Sequence, residues 1–250
     1  MRGIVAAFMF LTTLPFPSMW QINKKDFANS VIFFPFVGLV VGTICAFAYS
    51  FMGSFSTGLM QAAVYLLFMC LITGALHIDG LGDTFDGICS FRPKERMLEI
   101  MKDSSIGTYG AVAIIIDLMI RFSIVQSMNS KLAFISIILA PVTAKAYIGL
   151  LIGVSRDARE GTGMGSMFMT YGKEKRAIIA MILGLLIVVC SLKIIFISAF
   201  ILCIFPAVAF RGLVYKKISG MTGDTMGAAN EIIEISFMVF VIIISKSFTM

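Results

Sequence analysis

The stretch Val31-Ile32-Phe33-Phe34-Pro35-Phe36-Val37-Gly38-Leu39-Val40-Val41-Gly42-Thr43-Ile44-Cys45-Ala46-Phe47-Ala48-Tyr49-Ser50-Phe51-Met52 runs for 22 residues without a charged side chain. A helix of roughly 20 apolar residues crosses the hydrocarbon core of a bilayer. Comparable runs lie near 58–76, 107–127, 132–152, 177–192, 194–210 and 232–245. The expectation is an all-α polytopic integral membrane bundle of about seven spans, forming one transmembrane domain over 1–250. Composition agrees. Hydrophobic residues make up 59% and charged residues 14%, with a mean hydropathy of +0.97, whereas soluble chains average about 45–50% and about 25%. This excludes a secreted disulfide scaffold, a nucleic-acid-binding domain and a disordered chain. Cys45, Cys70, Cys89, Cys190 and Cys203 show no paired spacing and read as small hydrophobes.

The net charge of +6 and pI near 9.1 come from basic residues scattered between the apolar runs, which is the pattern of membrane orientation. Lys and Arg concentrate in an N-terminal interfacial segment (1–30) and in loops 77–106, 153–176 and 211–231, fifteen in all, against three (Lys131, Lys193, Lys246) on the other side. Positive charge stays inside, so the N-terminus and these loops are expected in the cytoplasm of a multi-pass protein of the plasma or inner membrane. Thirteen of the fourteen acids, all but Asp117, lie on or at the edge of the same side. Orientation does not require that, because acids contribute little to it. The functional face is expected to be cytoplasmic.

The densest polar stretch is His77-Ile78-Asp79-Gly80-Leu81-Gly82-Asp83-Thr84-Phe85-Asp86-Gly87. Asp79, Asp83 and Asp86 stand at i, i+4 and i+7, one stripe of a helix, and carboxylates so aligned repel one another unless a hard cation such as magnesium sits among them. Gly80, Gly82 and Gly87 permit close approach of a substrate or another helix. Downstream, Lys102-Asp103-Ser104-Ser105-Ile106-Gly107 precedes a span, where free N–H groups and the positive helix end suit phosphate; an ordinary Ser104 or Ser105 N-cap is the plainer reading. Arg156 and Arg159, three apart on a glycine-bearing loop, suit a pyrophosphate. Asp224, Glu231 and Glu234 share one helical face, and Glu234 enters an apolar span, where ionisable groups carry function. Asp117 and Arg121, four apart within a span, pair to limit the cost of both, with Lys145 snorkelling or joining them.

Taken together, His77–Gly87 and Met101–Gly110 closely resemble the signature of the cobalamin synthase family, the adenosylcobinamide-GDP ribazoletransferases. The likeness extends to Phe10-Leu11-Thr12, Phe34-Pro35-Phe36-Val37-Gly38, Arg159-Glu160-Gly161 and Thr222-Gly223-Asp224, in family order along nearly the whole chain. The resemblance implies a reaction joining adenosylcobinamide-GDP to α-ribazole, or its 5′-phosphate, with magnesium and release of GMP. That is the last assembly step of the cobalamin nucleotide loop. It implies Asp79, Asp83 and Asp86 as metal ligands. His77, Asp103, Asp224 and Glu231 become candidates for acid–base work or for completing the metal sphere, and Lys102, Ser104, Gly107, Arg159 and Glu160 for holding substrate. The bilayer is the expected environment; a homo-oligomer or association with other cobalamin-assembly enzymes is compatible with it. The competing readings are a transporter for a corrinoid or phosphorylated solute and a scaffolding subunit. Transporters place binding groups near the midplane on broken helices of paired repeats, and only Asp117, Arg121 and Lys145 are candidates for such depth.

Overall fold

The computed structural model describes residues 2–15, 22–56, 58–159, 164–171 and 174–247. Among them every regular element is helical. A short apolar helix α1 (Arg2–Leu11) is followed by α2 (Lys24–Ser30), which opens on a capping box in which Asn23 and Asp26 satisfy each other's backbone N–H groups. A 3-10 turn carries α2 directly into α3 (Phe34–Gly53), so Lys24–Gly53 forms one 30-residue candidate span. The interfacial boundary drawn at residue 30 therefore falls inside a continuous helical stretch.

Next come α4 (Gly58–Thr73) and α5 (Leu76–Ile88), set at 88° to each other. Gly74 and Ala75 both take left-handed backbone conformations (φ 59° and 56°), which ends α4 and turns the chain. The N-terminal segment secures this break: the Thr13 hydroxyl and N–H donate to the last carbonyls of α4, at Leu71 (2.7 Å) and Ile72 (2.8 Å). At this angle α5 turns away from the axis of α4 instead of continuing it. The expected 77–106 loop thus consists largely of two helices, α5 and α6 (Lys94–Ile100).

The remaining spans are α7 (Thr108–Ser127) and α8 (Ser130–Val154), the latter capped by Asn129. After α9 (Met164–Tyr171) and α10 (Glu174–Val189) come α11 (Ile194–Leu202) and α12 (Ile204–Ile218), which form one broken 25-residue stretch; α13 (Gly223–Ser247) completes the chain. Five stretches are long and apolar enough to cross a membrane, or six if the bent α4–α5 pair counts as one. The expected seven apolar runs are all helical. However, α10, with 16 residues, is only about 24 Å long, shorter than the hydrocarbon core.

The most enclosed span is α8. It packs on α3 through Gly38 and Gly42, where an added Cβ would lie 2.5 Å from the Pro141 and Ile138 carbonyl oxygens. Small residues let helices without a hydrophobic driving force approach closely in lipid. By contrast, α7 turns Ile115, Ile116 and Met119 outward, as a lipid-facing helix does. The last helix begins nine residues before the expected 232, and α12 runs to Ile218, so the 211–231 segment is nearly all helix. That change builds the site.

Candidate active site

Helices α5 and α13 meet backbone to backbone at Gly80 and Gly227. A Cβ on Gly80 would stand 2.8 Å from the Asp224 carbonyl oxygen, and one on Gly227 would stand 3.3 Å from Gly80 Cα. The glycines of the acidic stretch do admit another helix, and this contact sets the α5 carboxylates beside the mouth of α13. Gly80→Leu is expected to separate the helices. Activity at this junction should then fall at least about tenfold, on the scale of a misplaced reacting group, with a lowered unfolding midpoint in detergent.

A cavity of about 200 Å³ opens at this junction, with His77, Asp79, Asp157, Arg159, Thr222 and Asp224 among its lining residues. Arg159 reaches it because the loop after α8 is tied to the turn before α13. The Ala158 N–H donates to the Met221 carbonyl (2.9 Å) and the Met221 N–H to the Arg156 carbonyl (2.8 Å). From there an Arg159 Nη2 donates to Asp224 Oδ2 at 2.6 Å and to the Met101 carbonyl at 3.4 Å. The pair is mostly buried, so its charges interact more strongly than a surface pair would. Thr222 and Thr225 exchange bonds with each other's backbone and fix the start of α13. His77 is buried, and its Nε2 has no hydrogen-bond partner among the described residues. A buried polar atom left unpaired is costly, and a substrate group can satisfy it.

Asp79 is exposed and Asp83 half-buried on the same stripe. Burial, followed by the charges of Asp79 and Asp224, pushes the Asp83 carboxyl up to about 7. Asp86 is engaged differently. Its two oxygens accept the N–H groups of Gly107 (2.7 Å) and Gly110 (2.8 Å), so it caps α7 from a neighbouring helix. Neither Ser104 nor Ser105 caps α7, and the N–H groups expected to bind phosphate at Gly107 hold a carboxylate instead. Lys102, Asp103 and Ser104 are exposed and absent from the cavity lining. Asp103 accepts the Ser105 hydroxyl (2.6 Å) and N–H (3.0 Å), which hold its carboxyl below the usual range. It shapes its own turn, and a lowered pKa makes it a weak base. Glu160 lies outside the described residues.

Glu231 departs furthest from its expected place. It sits two turns deeper on α13, sealed in an ionic cluster. Arg121 donates from Nε to Asp117 (2.8 Å), from Nη1 to Glu234 (2.8 Å) and from Nη2 to Glu231 (2.6 Å). Asn230 donates to both glutamates, and Lys145 stands 3.8 Å from Glu234. The expected Asp117–Arg121 pair is present and Lys145 does join it, but Glu231 neutralises Arg121 and has no place in the cavity lining. These deep charges satisfy one another.

Among the described residues, no three His, Cys, Asp or Glu side chains form a ready-made metal cage. The donor chemistry nevertheless fits magnesium, which binds through one or two carboxylates plus substrate phosphates; Asp79 and Asp83 supply oxygen-only donors whose repulsion a cation relieves.

The cavity was legible in part. Asp79, Arg159, Asp224 and His77 carried motif signals, but nothing in the spacing singled out Asp157. Thr222 was marked only by the family likeness.

The cobalamin-5-phosphate synthase family matches residues 3–242. An adenosylcobinamide-GDP ribazoletransferase of Clostridium novyi (strain NT) is 41% identical over 238 residues, 95% of each chain. One from Clostridium botulinum (strain Langeland) is 34% identical over 97% of this chain and 99% of its own. Another, from Thermoanaerobacter sp. (strain X514), is 29% identical over 98% of both. No solved structure matches. Because the match covers the helices that build the cavity as well as the acidic stretch, this chain belongs to the cobalamin-5-phosphate synthase family.

Proposed function

We propose that this chain joins adenosylcobinamide-GDP to α-ribazole or its 5′-phosphate, releasing GMP, and that the cavity between α5 and α13 is where the transfer occurs. The observation that carries the reading is the meeting of Asp79, Asp224, Arg159 and His77 from three separated stretches at one opening. A ribose hydroxyl oxygen forms a bond to the phosphorus on the corrinoid side chain, and the bond from that phosphorus to the GMP oxygen breaks. The hydroxyl proton passes to Asp224 or to His77 Nε2. Arg159 offsets charge on the phosphate oxygens, and its bond to Asp224 keeps both groups aimed into the cavity. Asp79 and Asp83 would hold magnesium, which would supply positive charge against the diphosphate. Chemistry of this type depends on positioning and charge neutralisation. Asp86 serves by anchoring α7 against α5.

The fifteen-to-three distribution of Lys and Arg supports a cytoplasmic N-terminus and a cytoplasmic opening in the plasma or inner membrane. Purified protein in detergent, given adenosylcobinamide-GDP, α-ribazole and magnesium, is expected to release one GMP per corrinoid product. Solute entry into sealed vesicles without GMP release would instead mark a transporter.

A further inference from the structure

The cavity has a second wall, made by α1, α3 and α9, that the transfer chemistry does not use. Phe10, Phe34 and Phe168 line it. Their rings form one cluster: Phe10 to Phe168 at 4.7 Å between centroids, Phe34 to Phe168 at 5.7 Å, and Phe10 to Phe34 at 6.3 Å and nearly parallel. Phe27 backs Phe168 from outside the cavity lining, 5.9 Å away and edge-on, which fixes the ring in place. The charged groups come from other elements, α5, α13 and the loop after α8. One opening is therefore lined by aromatic rings from one set of helices and by carboxylates and a guanidinium from another.

We propose that the phenylalanine wall seats the aromatic lower base of the ribazole acceptor, leaving the guanine of the donor outside it; the inference rests on the ribazoletransferase reading. Rings of phenylalanine offer stacking and apolar contact and no hydrogen bonds. Guanine carries a carbonyl, a ring N–H and an amine, each of which would be stripped of water against this wall without a partner. A benzimidazole has no exocyclic polar group and only one free ring nitrogen, so it gives up far less there. Seated on the wall, the base directs its ribose toward Asp79, Arg159 and Asp224, where the attacking hydroxyl is needed. A wall without directional bonds also recognises shape and aromaticity alone, so it discriminates against a polar base such as adenine by leaving that base's amine unpaired.

The test is steady-state kinetics of the full-length protein in detergent with two acceptors, ribazole carrying a dimethylbenzimidazole and the α-nucleoside carrying adenine. Phe168→Leu and Phe10→Leu retain apolar bulk and remove the π-face. They should raise the KM for ribazole roughly 10-fold, on the scale of one stacked base, with the KM for adenosylcobinamide-GDP unmoved and the preference for ribazole over the adenine nucleoside reduced. A rise in the KM for adenosylcobinamide-GDP instead, or no change in either, overturns the seat. Should the variants not fold, wild-type protein photolabelled with an azido-benzimidazole ribazole decides the matter. Label on peptides containing Phe10, Phe34 or Phe168 supports the seat, and label only elsewhere overturns it. Failure of wild-type protein to release GMP from the two substrates removes the underlying reading and the seat with it, whereas turnover with label elsewhere removes the seat alone.

Discussion

Asp83→Asn and Asp79→Asn are each expected to lower GMP release at least about 100-fold, the cost of removing one group that stabilises charge in a transition state. The loss should shrink as magnesium is raised, because a weakened site fills at higher concentration. Asp83 adds a pH signature. Burial and the charges of Asp79 and Asp224 push it up to about 7, so below that value a proton competes with the cation. At limiting magnesium the wild-type rate should therefore fall as pH drops through about 7 and recover on adding magnesium. The sign for the metal-free fold is opposite. A carboxyl whose pKa is raised by folding favours the folded state at low pH and loses that contribution as pH rises through its folded value. Wild-type rates and an unchanged magnesium titration in both variants would remove these aspartates from the site.

Arg121→Met should be the most damaging change to stability. The guanidinium is fully buried and each of its three nitrogens faces a different carboxylate. Removing one partner of a buried charge pair costs about 3–5 kcal/mol, because the others stay buried without compensation. Here three carboxylates would be left with Lys145 alone. The expected result is loss of folded protein from detergent extracts, or a sharply lowered unfolding midpoint. Arg121→Lys keeps the charge but cannot fork to three acceptors, and should fall between. Combining Arg121→Met with Glu231→Gln and Glu234→Gln should recover much of the loss. A single variant as stable as wild type would show that the cluster does not hold α7 to α13.

The predicted sensitivity of Arg121 and that of the cavity are linked through the same two helices. Asp86 fastens the start of α7 to α5, and Arg121 fastens the middle of α7 to α13. Together they fix the stripe bearing Asp79 and Asp83 against the helix bearing Asp224. The acids that sequence reading grouped as one functional set therefore divide by depth. Those at the helix mouths line or adjoin the cavity, and those two turns further in bind the bundle.

The sequence by itself determined the helical membrane class, the runs that become helices and the polar stretches that supply the cavity. Hydrophobic run length and residue type are local quantities, written directly in the order of side chains. Helical spacing also put Asp79, Asp83 and Asp86 on one stripe. Only the tertiary structure decided what each acid does. Asp86 spends its oxygens on the N–H groups of α7, 21 and 24 residues away, and Glu231 meets Arg121 across 110 residues. The phenylalanine wall was equally hidden: Phe10 and Phe34 belonged to stretches of the family likeness and Phe168 carried no signal, and only the packing of three helices brought their rings together. Whether a carboxylate faces an N–H group, a guanidinium or an open cavity depends on which helix packs beside it. Close backbone contacts such as Gly80 on Gly227 set that choice, and no spacing along the chain encodes it.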